Sequence, residues 1–241
     1  MDYLGYCKRL NVPLLIETAL VTTAAIMALR LLLTSSGFGS AWYVGPAVLL
    51  AAGLIPTLIK RGEFVGIGLS SEQVRHSLIL VAGVCIFVFP ALAAGLWLLK
   101  LCGMQLPLRP VVPREQGLAQ WLLYQFLYVA VAEEVFFRGY VQRNCLRIVD
   151  SFEGHPGMLL KFTNIIISAA CFALAHAIVQ GKIVSLLAFL PGLVLGWIFI
   201  RTGSLLAPIL FHGLANAWYL AICGLLATLC KSDFSGLFNS R

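Results

Sequence analysis

The segment Ala130–Tyr140 reads AVAEEVFFRGY and places two adjacent carboxylates and a guanidinium inside an apolar run that begins near Leu118. Ionisable groups at membrane depth are costly, so a cluster of this kind is a functional-site hypothesis by default. In a helix Glu134 and Arg138 are i, i+4 neighbours and can pair, whereas Glu133 points about 100° away. One carboxylate can be neutralised locally while the other remains for chemistry. A purely structural ion network that locks one helix to its neighbours explains this segment equally well.

The composition indicates a membrane protein. Of 241 residues, 60% are hydrophobic and only 11% are charged, which is outside the range of ordinary soluble domains. Apolar runs of about 18 residues or more predict membrane spans. We find such runs at Pro13–Leu33, Ala41–Ile59, Ser77–Leu99, Leu118–Phe137, Ile165–Val179, Ile183–Ile200 and Leu205–Leu229. The predicted fold is all-α, a polytopic transmembrane helical bundle of about seven to eight spans, with 1–241 as a single integral-membrane domain.

The charged residues and cysteines exclude several classes of protein. The formal net charge is +7, but the basic residues are scattered over short loops, which argues against binding of nucleic acid. A modest excess of Lys and Arg on the N-terminal side predicts a cytoplasmic N-terminus. The seven cysteines contain no Cys-x-x-Cys pair and lie mostly in apolar segments. They are therefore interpreted as small buried hydrophobes and not as a disulfide framework or a metal site.

Two later helices each supply polar groups to the predicted depth of Glu133. His176 is a lone histidine in an apolar helix, which by itself is more typical of a hydrogen-bonded core residue. It lies about as far after the connecting turn as Glu133 lies before it, so antiparallel helices bring both to one level. His212 and Asn216 are i, i+4 neighbours on one helical face. We expect these four polar groups to converge.

The spacing of two glycines indicates close helix packing. Gly192 and Gly196 stand at the small-xxx-small spacing in an apolar helix, which allows a neighbouring backbone to approach closely. We assign this pair a packing role and no chemistry.

A carboxylate, two imidazoles and a carboxamide in a water-poor cavity can hydrolyse an amide in two ways. In the first, Glu133 and His176 deprotonate a water while His212 and Asn216 donate hydrogen bonds to the oxyanion. In the second, Glu133, His176 and His212 bind a divalent metal such as zinc with an open coordination position. The chain has no His-Glu-x-x-His motif and no serine or cysteine with a base at a recognisable spacing, so a nucleophilic triad is not supported.

Three short motifs follow one another on separate helices. They are Glu133-Glu134-x-x-x-Arg138, Phe172-x-x-x-His176 and His212-x-x-x-Asn216. Each motif alone is unspecific, but their ordered combination resembles the CAAX-processing and bacteriocin-processing (CPBP, Abi) family of intramembrane proteases, the type II CAAX prenyl endopeptidases. The resemblance covers about 118–220, which would be the catalytic core.

The resemblance implies an α-helical membrane endopeptidase in which Glu133 is the general base and His176 is its partner. It also implies that His212 and Asn216 stabilise the oxyanion. Glu134 and Arg138 would together shape the site. It leaves the metal question open, with either no cofactor or one zinc held by Glu133, His176 and His212.

The expected partners are the lipid bilayer and a membrane-associated protein or peptide substrate, prenylated or not, and the expected location is the plasma (inner) membrane of a prokaryote. Two other interpretations remain open. One is a non-catalytic membrane immunity or scaffold protein of the same fold. The other is a transporter with Glu133, Arg138 and His176 as a proton relay, which the lack of an internal repeat disfavours.

Overall fold

The secondary structure was derived from a computed structural model, which describes residues 11–34, 44–61, 70–104, 117–153 and 157–238. Within these ranges the chain forms seven helices and no strand, in agreement with the all-α prediction. The helices are α1 (Val12–Thr34), α2 (Val44–Arg61), α3 (Ser71–Leu101), α4 (118–153), α5 (Met158–Gln180), α6 (Phe189–Thr202) and α7 (Leu206–Phe238), with a short 3₁₀ segment (Ile183–Ala188) that leads into α6.

Each of the seven predicted spans corresponds to one of these helices. Five segments are long and apolar enough to cross a membrane, namely Val12–Thr34, Ser71–Leu101, Met158–Gln180, Ile183–Thr202 and Leu206–Leu225. The apolar part of α2, Val44–Ile59, is shorter, and the start of its predicted span lies outside the described residues. The chain is thus an integral membrane protein, whereas its orientation remains a prediction.

Helix α4 lies at the centre of the bundle. It packs against α1, α2, α5, α6 and α7, whereas α3 packs mainly on α6 and α7 at the edge. The middle of α4 is correspondingly buried, with Phe136 at 0% and Phe137 at 2% exposure. A buried helix has no contact with water, so each polar group on it needs a partner within the protein. The charged residues of α4 therefore restrict how the neighbouring helices can pack.

Two π-helical segments interrupt α4. They are Gln125–Ala130 and Val135–Gln142, and they flank the α-helical turn Val131–Glu134. A π turn replaces i→i+4 bonds by wider i→i+5 bonds, and such segments occur frequently at functional sites. In the second segment, side chains of α5 bond to backbone carbonyls. Ser168 Oγ donates to Phe137 O at 3.4 Å and Asn164 Nδ2 donates to Gln142 O at 3.0 Å.

The glycine pair of α6 contacts both α4 and α5. Arg138 Nη2 donates to Gly192 O at 3.1 Å, and Gln142 Nε2 donates to Gly196 O at 3.0 Å. A Cβ atom at Gly192 would lie 3.2 Å from Ala169 Cα, and one at Gly196 would lie 3.3 Å from Gln142 Oε1. The predicted packing role is confirmed. The bare backbone also serves a second purpose, because it exposes carbonyl groups to the polar side chains of α4.

Side chains form hydrogen bonds between α1 and two other helices, α4 and α5. Asn144 Nδ2 of α4 donates to Thr18 Oγ1 at 3.1 Å, and Arg30 Nη1 donates to Val179 O in the last turn of α5 at 3.2 Å. The last carbonyls of a helix have no partner within it, so a cation there satisfies both a hydrogen bond and the helix dipole. The first contact holds α1 against α4, and the second holds it against the helix that carries His176.

We predict that Gly192→Ala destabilises the bundle by about 1–3 kcal/mol, because the added methyl group presses on the buried backbone of Ala169 and separates α5 from α6. Gly95→Ala in α3 is the matched control, since a Cβ there meets nothing within 4 Å. Thermal unfolding in detergent micelles measures both variants. An unchanged unfolding temperature for Gly192→Ala would contradict the close contact between these helices.

Candidate active site

The carboxylate of Glu133 lies between two imidazole rings that come from different helices. Glu133 Oε2 is 3.7 Å from His176 Nε2 of α5 and 3.8 Å from His212 Nε2 of α7. The side chain of Glu133 is 17% exposed and that of His176 is 24% exposed, so this group is accessible from outside the bundle. The structure therefore brings together three of the residues that were predicted to converge.

The carboxylate of Glu134 lies on the buried side of the group formed by Glu133, His176 and His212. Glu134 and Arg138 have 0% exposed side chains, and Glu134 Oε1 is 3.2 Å from Arg138 Nη1, the pair that the i, i+4 spacing predicted. The same oxygen is 2.7 Å from His212 Nδ1. Glu134 therefore connects the buried guanidinium of α4 to the imidazole of α7.

The hydrogen bonds of the two histidines determine where their protons are. His176 Nδ1 is 2.9 Å from Phe172 O, and a carbonyl oxygen can only accept, so this nitrogen carries a proton. His212 Nδ1 lies against the Glu134 carboxylate, which likewise accepts. In the neutral rings both Nε2 atoms are then lone-pair acceptors that point at the acceptor oxygen of Glu133.

Three acceptors that face one another require a donor between them. Glu133 Oε2 is buried and has no hydrogen-bond partner among the described residues, and an unsatisfied buried carboxylate oxygen is costly. A water can donate its two protons to two of these acceptors, for example Glu133 Oε2 and His176 Nε2, and a cation could contact all three. The three acceptor atoms thus favour a small hydrogen-bond donor or a cation between them.

The ring of Phe172 forms one wall of the site. Its centroid lies 4.4 Å from that of His176 and 6.0 Å from that of His212, and the guanidinium carbon of Arg138 lies 4.7 Å from it. Edge contacts of this kind and a cation over an aromatic face are both favourable. Phe172 thus contacts the buried arginine and both imidazoles.

Asn216 lies one turn after His212 on α7, and its amide is held by a residue that our sequence analysis missed. Asn216 Nδ2 donates to Gln125 Oε1 of α4 at 2.9 Å. Residues eight apart in an α-helix differ by about 80° around the axis, so Gln125 is not expected beside Glu133. A polar residue within the apolar run 118–132 was the one signal in the sequence.

The predicted metal ligands match zinc in kind. Glu133, His176 and His212 offer a carboxylate and two imidazoles, and both Nδ1 atoms have the acceptor partners that metal-bound histidines usually have. As arranged, however, the residues that the structure describes include no group of three or more His, Cys, Asp or Glu side chains that could hold a metal ion. We therefore derive the chemistry from the protein groups alone.

The comparison with protein families agrees with the predicted resemblance. Residues 115–218, a little under half of the chain, match the family model "Type II CAAX prenyl endopeptidase Rce1-like". The matched region contains all the residues described above, from Gln125 to Asn216. No curated protein and no solved structure matches the chain. Residues 115–218 of the chain are therefore similar to the Rce1-like type II CAAX prenyl endopeptidases.

Proposed function

We propose that this protein is an intramembrane endopeptidase that hydrolyses a peptide bond of a membrane-associated protein or peptide with a water activated by Glu133 and His176. The observation that carries the proposal is the unpartnered Glu133 Oε2 less than 4 Å from two imidazole nitrogens. A water bound there donates one proton to Glu133 and one to His176 and is held ready for deprotonation. The family match supports the reaction class, since the family is one of endopeptidases.

In the proposed reaction, Glu133 takes one proton from the water while the water oxygen bonds to the carbonyl carbon of the substrate. His176, fixed by its bond to Phe172 O, orients the water. Glu133 then passes the proton to the leaving nitrogen as the carbon–nitrogen bond breaks, which yields a carboxylic acid and an amine. No covalent intermediate with the protein is formed.

The negative charge on the carbonyl oxygen is stabilised from α7. Asn216 contributes a carboxamide N–H, and preorganised donors of this kind are often the largest single contribution to catalysis. His212 contributes Nε2–H when both its nitrogens carry protons, and the water is then held by Glu133 and His176 without His212 as an acceptor. The Glu134 carboxylate at 2.7 Å balances the charge of the protonated ring. Arg138 keeps Glu134 in place without contacting the substrate.

A CAAX-type C-terminal segment is the first substrate class to test, because the matched family consists of CAAX prenyl endopeptidases. The bilayer brings such a lipid-anchored segment to the protein, and we propose a cytoplasmic N-terminus in the plasma membrane of a prokaryote. Binding of one zinc ion by Glu133, His176 and His212 is the second version of the proposal.

We predict that Glu133→Gln lowers cleavage by at least about 10²-fold, because the amide cannot accept the proton of the water. The change preserves the size of the side chain, so the unfolding temperature should stay near that of the wild type. Glu72→Gln, at an exposed acid in the first turn of α3, is the matched control.

Two assays measure this effect. Purified protein in micelles is tested on a farnesylated CAAX peptide and on its unmodified counterpart. Comparative proteomics of membrane peptides from cells with the wild type or Glu133→Gln then identifies natural substrates. A folded Glu133→Gln protein that cleaves as fast as the Glu72→Gln control would contradict the protease assignment.

The first version of the proposal predicts that cleavage persists after exhaustive treatment with a zinc chelator, because Glu133 and His176 activate the water without a metal ion. The measurement is the initial rate of peptide cleavage before and after chelation, with zinc added back as the control. A loss of activity that zinc restores would replace the first version of the proposal by the metal-dependent one.

A further inference from the structure

The hydrogen bond between Gln125 and Asn216 controls the orientation of a planar group. The carboxamide of asparagine carries two N–H donors on one end and an acceptor oxygen on the other. Gln125 Oε1 accepts one of these N–H groups at 2.9 Å. Because the amide is planar, this single contact fixes the direction of the second N–H and turns the amide oxygen away.

Helix α4 presents Gln125 to this position because of its first π segment. In a regular α-helix Gln125 and Glu133 would differ by about 80° around the axis. The π segment Gln125–Ala130 takes up one additional residue, which reduces the difference to about 20°. Gln125 and Glu133 therefore lie on one face of α4, two turns apart. They would not share this face without the π segment.

The two helices are in close contact at this level. A Cβ atom at Gly213, the residue directly after His212, would overlap the ring of Phe126. Only glycine allows this ring to lie against the backbone of α7. Phe126 is next to Gln125 on α4, and Gly213 is on the same helix as Asn216. Their tight contact therefore fixes the distance between the two helices at the level of the Gln125–Asn216 hydrogen bond.

Building on the proposed function, we propose that Gln125 is a positioning residue that fixes the Asn216 carboxamide with its second N–H available to the oxyanion of the substrate. Without this acceptor the amide can rotate by a half turn and present its oxygen, which repels the developing negative charge. Gln125 then acts on the rate of the chemical step through Asn216 and does not itself contact the reacting atoms.

The test compares variants of the full-length protein in micelles, with the farnesylated CAAX peptide as substrate. Gln125→Leu removes the acceptor and should lower kcat by roughly 10- to 100-fold, with KM changed by less than about twofold. Gln125→Glu keeps an acceptor oxygen and should restore most of kcat. Gln120→Leu, at an exposed glutamine in the first turn of the same helix, should leave both constants unchanged.

A double-mutant cycle separates positioning from a general structural role. Asn216→Ala should lower kcat by about 10²–10³-fold, and adding Gln125→Leu to it should cause no further loss. If Gln125→Leu does not fold in micelles, Gln125→Met, which has an unbranched side chain without an amide, replaces it in every comparison.

The outcomes distinguish this inference from the proposed function. A Glu133→Gln variant that cleaves the peptide as fast as the wild type contradicts the proposed function. So does a wild-type protein that cleaves neither this peptide nor any membrane peptide in the proteomic comparison. If Glu133 is essential but Gln125→Leu behaves like Gln120→Leu, the positioning role is overturned. It is overturned as well if Gln125→Leu lowers kcat by the same factor in the wild type and in the Asn216→Ala variant. The third result that overturns it is a kcat for Gln125→Glu that is no higher than that of Gln125→Leu.

Discussion

The ion pair between Glu134 and Arg138 is the constraint on which the architecture of the site depends. Both side chains have 0% exposure, and a buried charge is tolerated only where partners satisfy it. Arg138 finds its partners in Glu134 and in the carbonyl of Gly192, and Glu134 finds a further one in His212. Satisfying two charges on α4 therefore fixes the positions of α6 and α7, and Gly192 is required because its bare backbone lets the carbonyl approach.

Adjacent positions on α4 give the two glutamates different roles. Glu134 is buried within the bundle and paired with Arg138 and His212, whereas Glu133 is 17% exposed and its Oε2 faces two imidazole nitrogens. A rotation of about 100° between successive residues produces this separation. Glu134 contacts both Arg138 and His212, and the proposed function assigns proton transfer to Glu133. The same separation explains why two consecutive acids occur in an otherwise apolar helix.

Much of this arrangement could be predicted from the sequence, because it follows from helical periodicity. The positions of the helices, the pairing of Glu134 with Arg138 and the close packing at Gly192 all depend on fixed spacings within one helix. The partner of His212 Nδ1 could not be predicted, since the spacing does not show which ring nitrogen faces Glu134. Gln125 was missed because the π segment changes the register of α4 without any residue type that marks it in the sequence.

The central claim is that Glu134 and Arg138 act as one buried unit, and a double-mutant cycle of the unfolding free energy in mixed micelles tests it most directly. Glu134→Gln and Arg138→Gln alone should each cost about 3–5 kcal/mol, because each leaves an uncompensated buried charge. The double variant is neutral and should cost less than the sum of the two by at least about 1 kcal/mol. Strictly additive costs would show that the two side chains are independent and would contradict the account of the site given above.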